Sequence, residues 1–409
     1  MVVNAPTGID RVDLAYGRHF VESGRIACGL HYGGAGPHAW SPKSAQRLLH
    51  TVEKHFIEAT ALSEDPVFSH VSQQITTGAA PEPKEGQLAR SKAPSRWTRA
   101  RFRIVNEKAY RPPVGSIYLN VAQHAFEYPR FFRWLDGRPD MHKVFLVHDF
   151  LPLDYREYFT ADDARRFEGR VRTIMRHATA LIVTTEAVKR RVQDEYAKHG
   201  RDIDIHVAPL VSPLATRRPA PMPELAAQPY FVVVGTIEPR KNHLLLLNLW
   251  RSLAREYPSP PKLVIVGKRG WENEQVIDML ERCHALRGHV LEVSGLSSAG
   301  LSTLLFNARA LLMPSFAEGY GLPIVEALTL GVPAILSDID VFREVSQGIA
   351  TYLDPLDALG WRNAILSFCA QGEETRMAAV EKTRRFRAPT TREYFESVEA
   401  FFSRLPALQ

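Results

Sequence analysis

Six short apolar runs recur between 230 and 354, and helical stretches separate them. They are "YFVVVGTI" (230–237), "KLVIVG" (262–267), "HVLEVSG" (289–295), "ALLMPS" (310–315), "VPAILSD" (332–338) and "ATYLD" (350–354). "KNHLLLLNLWRSLAREY" (241–257) is the clearest of the helical stretches. Strands that are apolar on both faces must be covered on both faces. Alternation with helices supplies the cover only in a parallel, doubly wound sheet.

The first half repeats the theme. "GSIYLNVA" (115–122), "KVFLVHD" (143–149), "ALIVTTE" (180–186) and "DIHVAPL" (204–210) read as strands, with a helix over 162–178. The proline-rich stretch 216–229 has no periodicity and reads as a linker. A chain of 409 residues exceeds one ordinary core. The expectation is an α/β chain with two Rossmann-like domains: 1–215, then the linker 216–229, then 230–385. An amphipathic helix over 390–405 follows, within a final segment 386–409. Ligands of such domains bind beyond the carboxyl ends of the strands, so two of them facing each other place a cleft between.

Three separated cysteines (Cys28, Cys283, Cys369) form no pair motif, which points to a reducing compartment. No apolar run reaches the ~20 residues of a membrane span, and no signal pattern opens the chain. A cytoplasmic protein is expected. The net charge of +6 suits an anionic partner. Residues 62–112 are rich in prolines and basic residues, with Trp97 and Phe102 interleaved. They read as a flexible basic insert, and 84–111 as a contact for an anionic membrane surface. No recognition motif accompanies the charge, so a nucleic-acid partner is not expected.

Four clusters sit at strand ends. In "PSFAEGYGLPIVEAL" (314–328), Glu318, Gly319, Tyr320 and Gly321 form the loop after a strand. Pro323 reads as the first helical residue and Glu326 as part of the first turn. Bare amides suit phosphate, and carboxylates suit sugar hydroxyls, so the loop fits a sugar joined to phosphate. In "GTIEPRKNHLLLL" (235–247), Gly235 ends a strand, and Arg240 and Lys241 open a helix. Cations there oppose the helix dipole and call for an anion such as a diphosphate. His148 and Asp149 end a strand of the first domain, where a histidine serves as base or hydroxyl partner. Thr7 and Gly8 precede a helix and make a weaker anion nest. The Asp-x-Asp of 338–340 has nothing around it to complete a metal site, so no metal is expected. The glycine-rich 32–40 lacks dinucleotide spacing.

"PSFAEGYGLPIVEALTLGVPAILSD", "VGTIEPRKN", "TGIDRVDLAY" and "VHDFLPLDYREYF" together resemble the family 4 retaining nucleotide-sugar glycosyltransferases, with their Glu-x7-Glu signature and GT-B fold. The resemblance implies roles. Glu326 would hold the donor ribose, and Glu318 would lie near the donor sugar. The amides of Gly319 to Leu322 would face sugar and phosphate. Arg240 and Lys241 would neutralise the departing diphosphate, with Gly8 beneath it. His148 would touch the transferred sugar, and Asp149 would help position it. Base choice would fall near Leu296, and the tail helix would cross back to the first domain. The family opens with a strand before "TGI", whereas only "MVVNAP" stands here.

The expected function is transfer of a hexose, first mannose, from a GDP-, UDP- or dTDP-linked donor. No cofactor is expected. The acceptor would be a glycan or a polyprenyl-diphosphate-linked glycan in bacterial surface polysaccharide synthesis, at the inner face of the plasma membrane. The alternatives are a GT-B epimerase or hydrolase acting on the sugar nucleotide, and a non-catalytic sugar-nucleotide-binding subunit.

Overall fold

A computed structural model describes residues 8–26, 28–33, 36–57, 62–77, 112–212, 218–369 and 373–408. Thr7 and the basic stretch 84–111 lie outside the described residues.

The chain opens with α1 (Gly8–Glu22), a hairpin of β1 (Gly29–Gly33) and β2 (Gly36–Trp40), then α2 (Pro42–Ile57) and α3 (Pro66–Thr77). A four-stranded sheet follows: β3 (Ile117–Asn120), β4 (His142–Val147), β5 (Ala180–Val183) and β6 (Asp204–Val207). It is parallel throughout, in the order β3-β4-β5-β6. Between its strands run α4 (Leu151–Asp154), α5 (Ala161–His177) and α6 (Glu186–Ala197). α7 (Pro223–Ala226) leads into β7 (Tyr230–Val234), α8 (His243–Glu256), β8 (Lys262–Val266), α9 (Glu274–Arg282), β9 (Val290–Val293) and α10 (Ser298–Phe306). Then come β10 (Leu311–Met313), α11 (Leu322–Thr329), β11 (Ala334–Ser337), α12 (Asp340–Val345) and β12 (Thr351–Leu353). Three helices close the chain: α13 (Ala358–Ser367), α14 (Glu373–Thr383) and α15 (Thr391–Ser403).

The second sheet is parallel, in the order β12-β11-β10-β7-β8-β9. The winding therefore reverses between β7 and β10. In such sheets the crevice beyond that reversal is the ligand site. The loops after β7 and β10 are the ones that carry Arg240, Lys241 and Glu318.

Alternation along β7 shows why both faces need cover. Phe231 and Val233 bury into a core with Leu246, Trp250 and Leu253 of α8, while Tyr230 and Val232 bury into the core on the other face. That second core is continuous with Val144 and Leu146 of β4, so one apolar body joins both domains. The tail helix α15 contacts elements of the first half of the chain. Tyr16 of α1 shares a 2.8 Å hydroxyl hydrogen bond with Tyr394, His19 stacks on Phe395 at 3.9 Å, and His206 at the end region of β6 reaches Ser397 at 2.8 Å. Among the described residues, no helix is long and apolar enough to cross a membrane.

The expected flexible insert needs correction over 62–77. Those residues form a turn and α3, and α3 is packed on the second domain. Phe68, Val71 and Ile75 are buried in the core that holds Leu291, Val293, Leu301 and Leu304. Their spacing of three and four residues is that of one helix face. Asp65 caps α3 by accepting from the amides of Val67 and Phe68, and its other oxygen accepts from the amide of Ser297 at 2.8 Å. The Lys262 ammonium donates to the Gln74 carbonyl at 2.6 Å. The proline-rich linker is docked as well, since Leu225 of α7 is fully buried. Of the glycine-rich stretch 32–40, residues 32–33 end β1 and residues 36–40 form β2.

Candidate active site

The loop after β10 delivers Glu318 into a buried charge cluster. Its carboxylate accepts from the Arg240 guanidinium at 2.6 Å, from the Ser315 hydroxyl at 2.9 Å and from the Lys241 ammonium. Arg240 also pairs with Glu238 at 2.7 Å and donates to the Ala317 carbonyl at 3.0 Å. The Phe316 amide donates to the Arg240 carbonyl at 2.8 Å, which ties the two loops together. Arg240 and Lys241 do not open α8, as the sequence led us to expect. They lie in a separate turn, Pro239–Lys241, and Asn242 in the left-handed region (φ 55°) separates them from the helix. Their anionic partners in this structure are Glu318 and Glu238, not the helix-end anion inferred from position.

Burial alone would raise the Glu318 carboxyl, but the two cations outweigh it and hold the group down at about 2. The Lys241 ammonium is pushed down by its own burial despite the pull of Glu318. The asymmetry follows from the numbers of neighbours. Two cations face Glu318, whereas Lys241 contacts one carboxylate and has Arg240 beside it. Glu318 is therefore ionised, and its hydrogen bonds to Arg240, Lys241 and Ser315 hold the cluster preorganised.

Glu326 is buried to 3% exposure in the second turn of α11, since Gly321 is the cap and Leu322 the first helical residue. Pro323 is thus second, and Glu326 is too far along to serve the first-turn amides. It instead accepts from the Ser212 hydroxyl at 2.8 Å and meets Arg11 at 3.4 Å. Burial pushes its carboxyl up to about 7, against the pull of Arg11 and Ser212. Gly321 needs its freedom: φ is 108°, a conformation that side-chain-bearing residues rarely take.

From the first domain, His148 donates from Nε2 to the Val121 carbonyl at 2.8 Å, which assigns Nδ1 as the unprotonated acceptor. Burial lowers its pKa, so the ring is neutral. Asp149 accepts from the Leu151 amide at 3.1 Å, and burial raises its carboxyl. A Cβ on Gly319 would stand 2.8 Å from both Cβ and Oδ2 of Asp149, so only glycine lets the two loops meet. The Thr184 hydroxyl donates to the Gly319 carbonyl at 3.1 Å. Tyr320 is buried, with its hydroxyl on the Leu210 carbonyl at 2.9 Å. Gly8 begins α1, and its added Cβ would lie 3.1 Å from Leu322, so the starts of α1 and α11 abut. Leu296 packs beside Gly300, next to the Asp65 cap of α3.

The structure thus brings Glu318, Arg240, Lys241, Asp149 and Gly319 into one cluster, with Gly8 and Leu322 at the paired helix starts and Glu326 in the second turn of α11. Gly235 is there too: its φ of 150° keeps the Lys241 stem 3.3 Å from where a Cβ would be. The sequence reading missed Arg11, Ser212, Ser315, Glu238 and Thr184. Gly267 was also missed. A Cβ there would overlap the Gly235 carbonyl oxygen, which is backbone and cannot step aside. Gly267→Ala is accordingly expected to displace the β7 loop and cost about 1–3 kcal/mol. Denaturant unfolding, alongside nucleotide titration, checks this.

On the other side of the cleft, α6 and α12 touch. The Glu344 carboxylate accepts from the amides of Glu186 at 2.6 Å and Ala187 at 3.2 Å, and Thr185 caps Val188. The first amides of α6 are thereby satisfied from the opposite domain. The carboxylates of 338–340 are already engaged, Asp338 with Arg343 and Asp340 with Arg190.

The family model for glycosyl transferases group 1 matches residues 221–385, the segment that holds Arg240, Lys241, Glu318 and Glu326. The serotype-specific mannosyltransferase WbdA of Escherichia coli is 32% identical over 225 residues, 51% of this chain and 27% of that protein. The O-antigen chain mannosyltransferase B of Escherichia coli is 36% identical over 134 residues, 33% of this chain and 35% of that protein. The chain spans about a third or less of the length of these curated relatives. Among solved structures, trehalose 6-phosphate synthase from Burkholderia multivorans superposes with a TM-score of 0.56 at 12% identity, covering 71% of each chain. Sucrose-phosphate synthase from Thermosynechococcus elongatus gives 0.53 at 18% identity, covering 70% of this chain and 73% of that one. The chain has the GT-B fold of these neighbours, and its second domain matches glycosyl transferases group 1.

Proposed function

We propose that the protein is a metal-independent, retaining hexosyltransferase of family 4, with the Glu-x7-Glu pair Glu318 and Glu326 serving a nucleotide diphosphate-sugar donor. The observation that carries this reading is the preorganised cluster of Arg240 and Lys241 on Glu318, at the winding reversal of the second sheet. In the proposed reaction the bond from the sugar C1 to the phosphate oxygen breaks, and the electron pair leaves with the nucleoside diphosphate. Arg240 and Lys241 turn from Glu318 toward that oxygen and stabilise its charge. An acceptor hydroxyl attacks C1 on the same face, and its proton passes to the departing phosphate. Same-face attack is favoured because both nearby carboxylates are engaged, Glu318 with the cations and Asp149 with the Leu151 amide. The Nδ1 of His148 accepts from a sugar hydroxyl, and Glu326 accepts from the ribose.

Mannose carried on GDP is the proposed donor, supported by the mannosyltransferase names of the relatives. O-antigen or related surface-polysaccharide synthesis is the proposed setting, at the inner face of the plasma membrane. A thermal-shift screen against GDP, UDP, dTDP and ADP tests the donor. GDP should stabilise the protein most. Equal or absent stabilisation by all four would overturn the donor reading.

The raised carboxyl of Glu326 adds a pH dependence. Its ordinary value is 4.5 and its folded value about 7, so the fold favours the neutral acid, and ionisation destabilises it as pH rises through that window. Ribose hydroxyls donating to the carboxylate favour the ionised form instead. Donor affinity is therefore expected to rise about tenfold between pH 6 and pH 8. Calorimetric titration of wild type beside Glu326→Gln checks this, and the variant should lose most of the slope.

A further inference from the structure

The ladder between β3 and β4 stops just short of the site. β3 pairs with β4 as far as Asn120 opposite Phe145. Beyond that pair, two side chains carry the connection, one from the end of each strand. The Gln123 side-chain amide donates to the Leu146 carbonyl at 3.1 Å, and the His148 ring donates from Nε2 to the Val121 carbonyl at 2.8 Å. The two bonds run in opposite directions across one gap. Gln123 therefore holds against β4 the segment on which the acceptor for His148 sits.

The turn that carries Gln123 is kept in a costly conformation. Gln123 has φ 53° and Ala125 has φ 64°, both in the left-handed region that residues with a side chain seldom adopt. They stand on either side of His124. Such a backbone persists only where its surroundings over-determine it. Here Phe126 is fully buried, edge to face with Phe132 at 4.9 Å and with Phe145 at 4.8 Å. Its carbonyl accepts from the Thr173 hydroxyl of α5 at 2.7 Å. A Cβ on Gly169 of α5 would stand 2.8 Å from the Glu127 carbonyl oxygen, so α5 closes on the turn from the other side. Gln123 itself is buried. A buried amide and two left-handed residues are an expensive way to end a strand, and what they secure is the place of the Val121 carbonyl.

That carbonyl decides which nitrogen of His148 carries the proton. The charged group that faces the ring is Asp149, which in turn faces Arg240 and Glu318 of the second domain. Asp149 is engaged with the Leu151 amide, and the Val121 carbonyl is the hydrogen-bond acceptor that holds the imidazole.

We propose that Gln123 is a positioning residue for His148. By pinning the turn after β3 to Leu146, it keeps the Val121 carbonyl on Nε2 and leaves Nδ1 as the acceptor. The role of Nδ1 toward a sugar hydroxyl rests on the transferase reading above, whereas the tautomer is a property of the free protein.

The test is NMR of the full chain labelled with ¹⁵N-histidine, with the His148 signals identified by their loss in His148→Asn. Wild type should show one neutral tautomer, protonated at Nε2. Gln123→Ala should show a mixture of tautomers, and its kcat with GDP-mannose should fall about tenfold or more. Gln123→Asn suits the left-handed backbone but is one methylene short of the Leu146 carbonyl. It should give the same mixture, and it decides the matter if the alanine variant does not fold. Thr173→Val removes a buried bond from the same turn without touching Val121, so it should lower stability and leave the tautomer of wild type. An unchanged tautomer in both Gln123 variants, or the same mixture in Thr173→Val, would overturn the proposal. If no hexose transfer is found, the kinetic arm falls with the transferase reading, and the tautomers still decide the role of Gln123.

Discussion

Replacing Lys241 with alanine is expected to lower kcat by about 10²- to 10³-fold, the range for removing one preorganised donor to a developing charge. The reason is geometric. The Lys241 ammonium is held by Glu318 beside the Arg240 guanidinium, so both cations stand ready at one point. The cation most nearly free to turn toward a leaving phosphate is Lys241, because Arg240 is also pinned by Glu238 and the Ala317 carbonyl. The fold should survive, since Glu318 keeps Arg240 and Ser315. Steady-state kinetics with GDP-mannose give the measurement. A change confined to KM would show that Lys241 grips the ground state only.

Glu318→Ala is expected to have the largest effect on stability, about 3–5 kcal/mol, because it strands the buried Lys241 ammonium and leaves Arg240 with Glu238 alone. Urea unfolding reads the loss. Glu318→Gln keeps the volume and one acceptor, so it should fall between wild type and alanine. The linkage runs in a definite direction. A carboxyl held at about 2 in the fold and at 4.5 ordinarily contributes about 3 kcal/mol at neutral pH. That contribution is present above pH 4.5 and is lost as pH falls toward 2. Wild type should therefore lose stability over that acid window more steeply than Glu318→Gln.

Much of the second domain was legible because its strands are doubly buried. Runs such as "KLVIV" have no polar face, and β8 is buried at every position. The first domain was legible to the same degree in its four parallel strands. α3 was not, because polar and proline-rich sequence surrounds it. Its signal was present in the spacing of Phe68, Val71 and Ile75, and nothing local shows that its partner sheet begins more than 150 residues later. The hairpin of β1 and β2 was hidden by glycines that resemble a loop.

The site divides in the same way. Glu318, Glu326, Arg240, Lys241, His148 and Asp149 stand at strand ends, and strand ends can be read from a linear pattern. Their partners cannot. Arg11 and Glu326 are 315 residues apart, and Ser212 and Glu326 are 114 apart. Such contacts are set by the docking of α1 and the first-domain strand ends on α11. The exact turn of Glu326 also escaped, because Leu322 and not Pro323 begins the helix. One residue of shift moved the carboxylate from the helix-end amides to Arg11.

The most direct test of the central claim is an NMR-monitored transfer assay with mannotriose as acceptor and GDP-mannose, UDP-glucose and dTDP-rhamnose as donors, run with excess chelator. The account predicts one nucleoside diphosphate released per hexose transferred, from GDP-mannose foremost, and a product whose anomeric configuration matches that of the donor. An inverted product, strict dependence on added metal, or release of nucleotide without transfer from any of the three donors would contradict it.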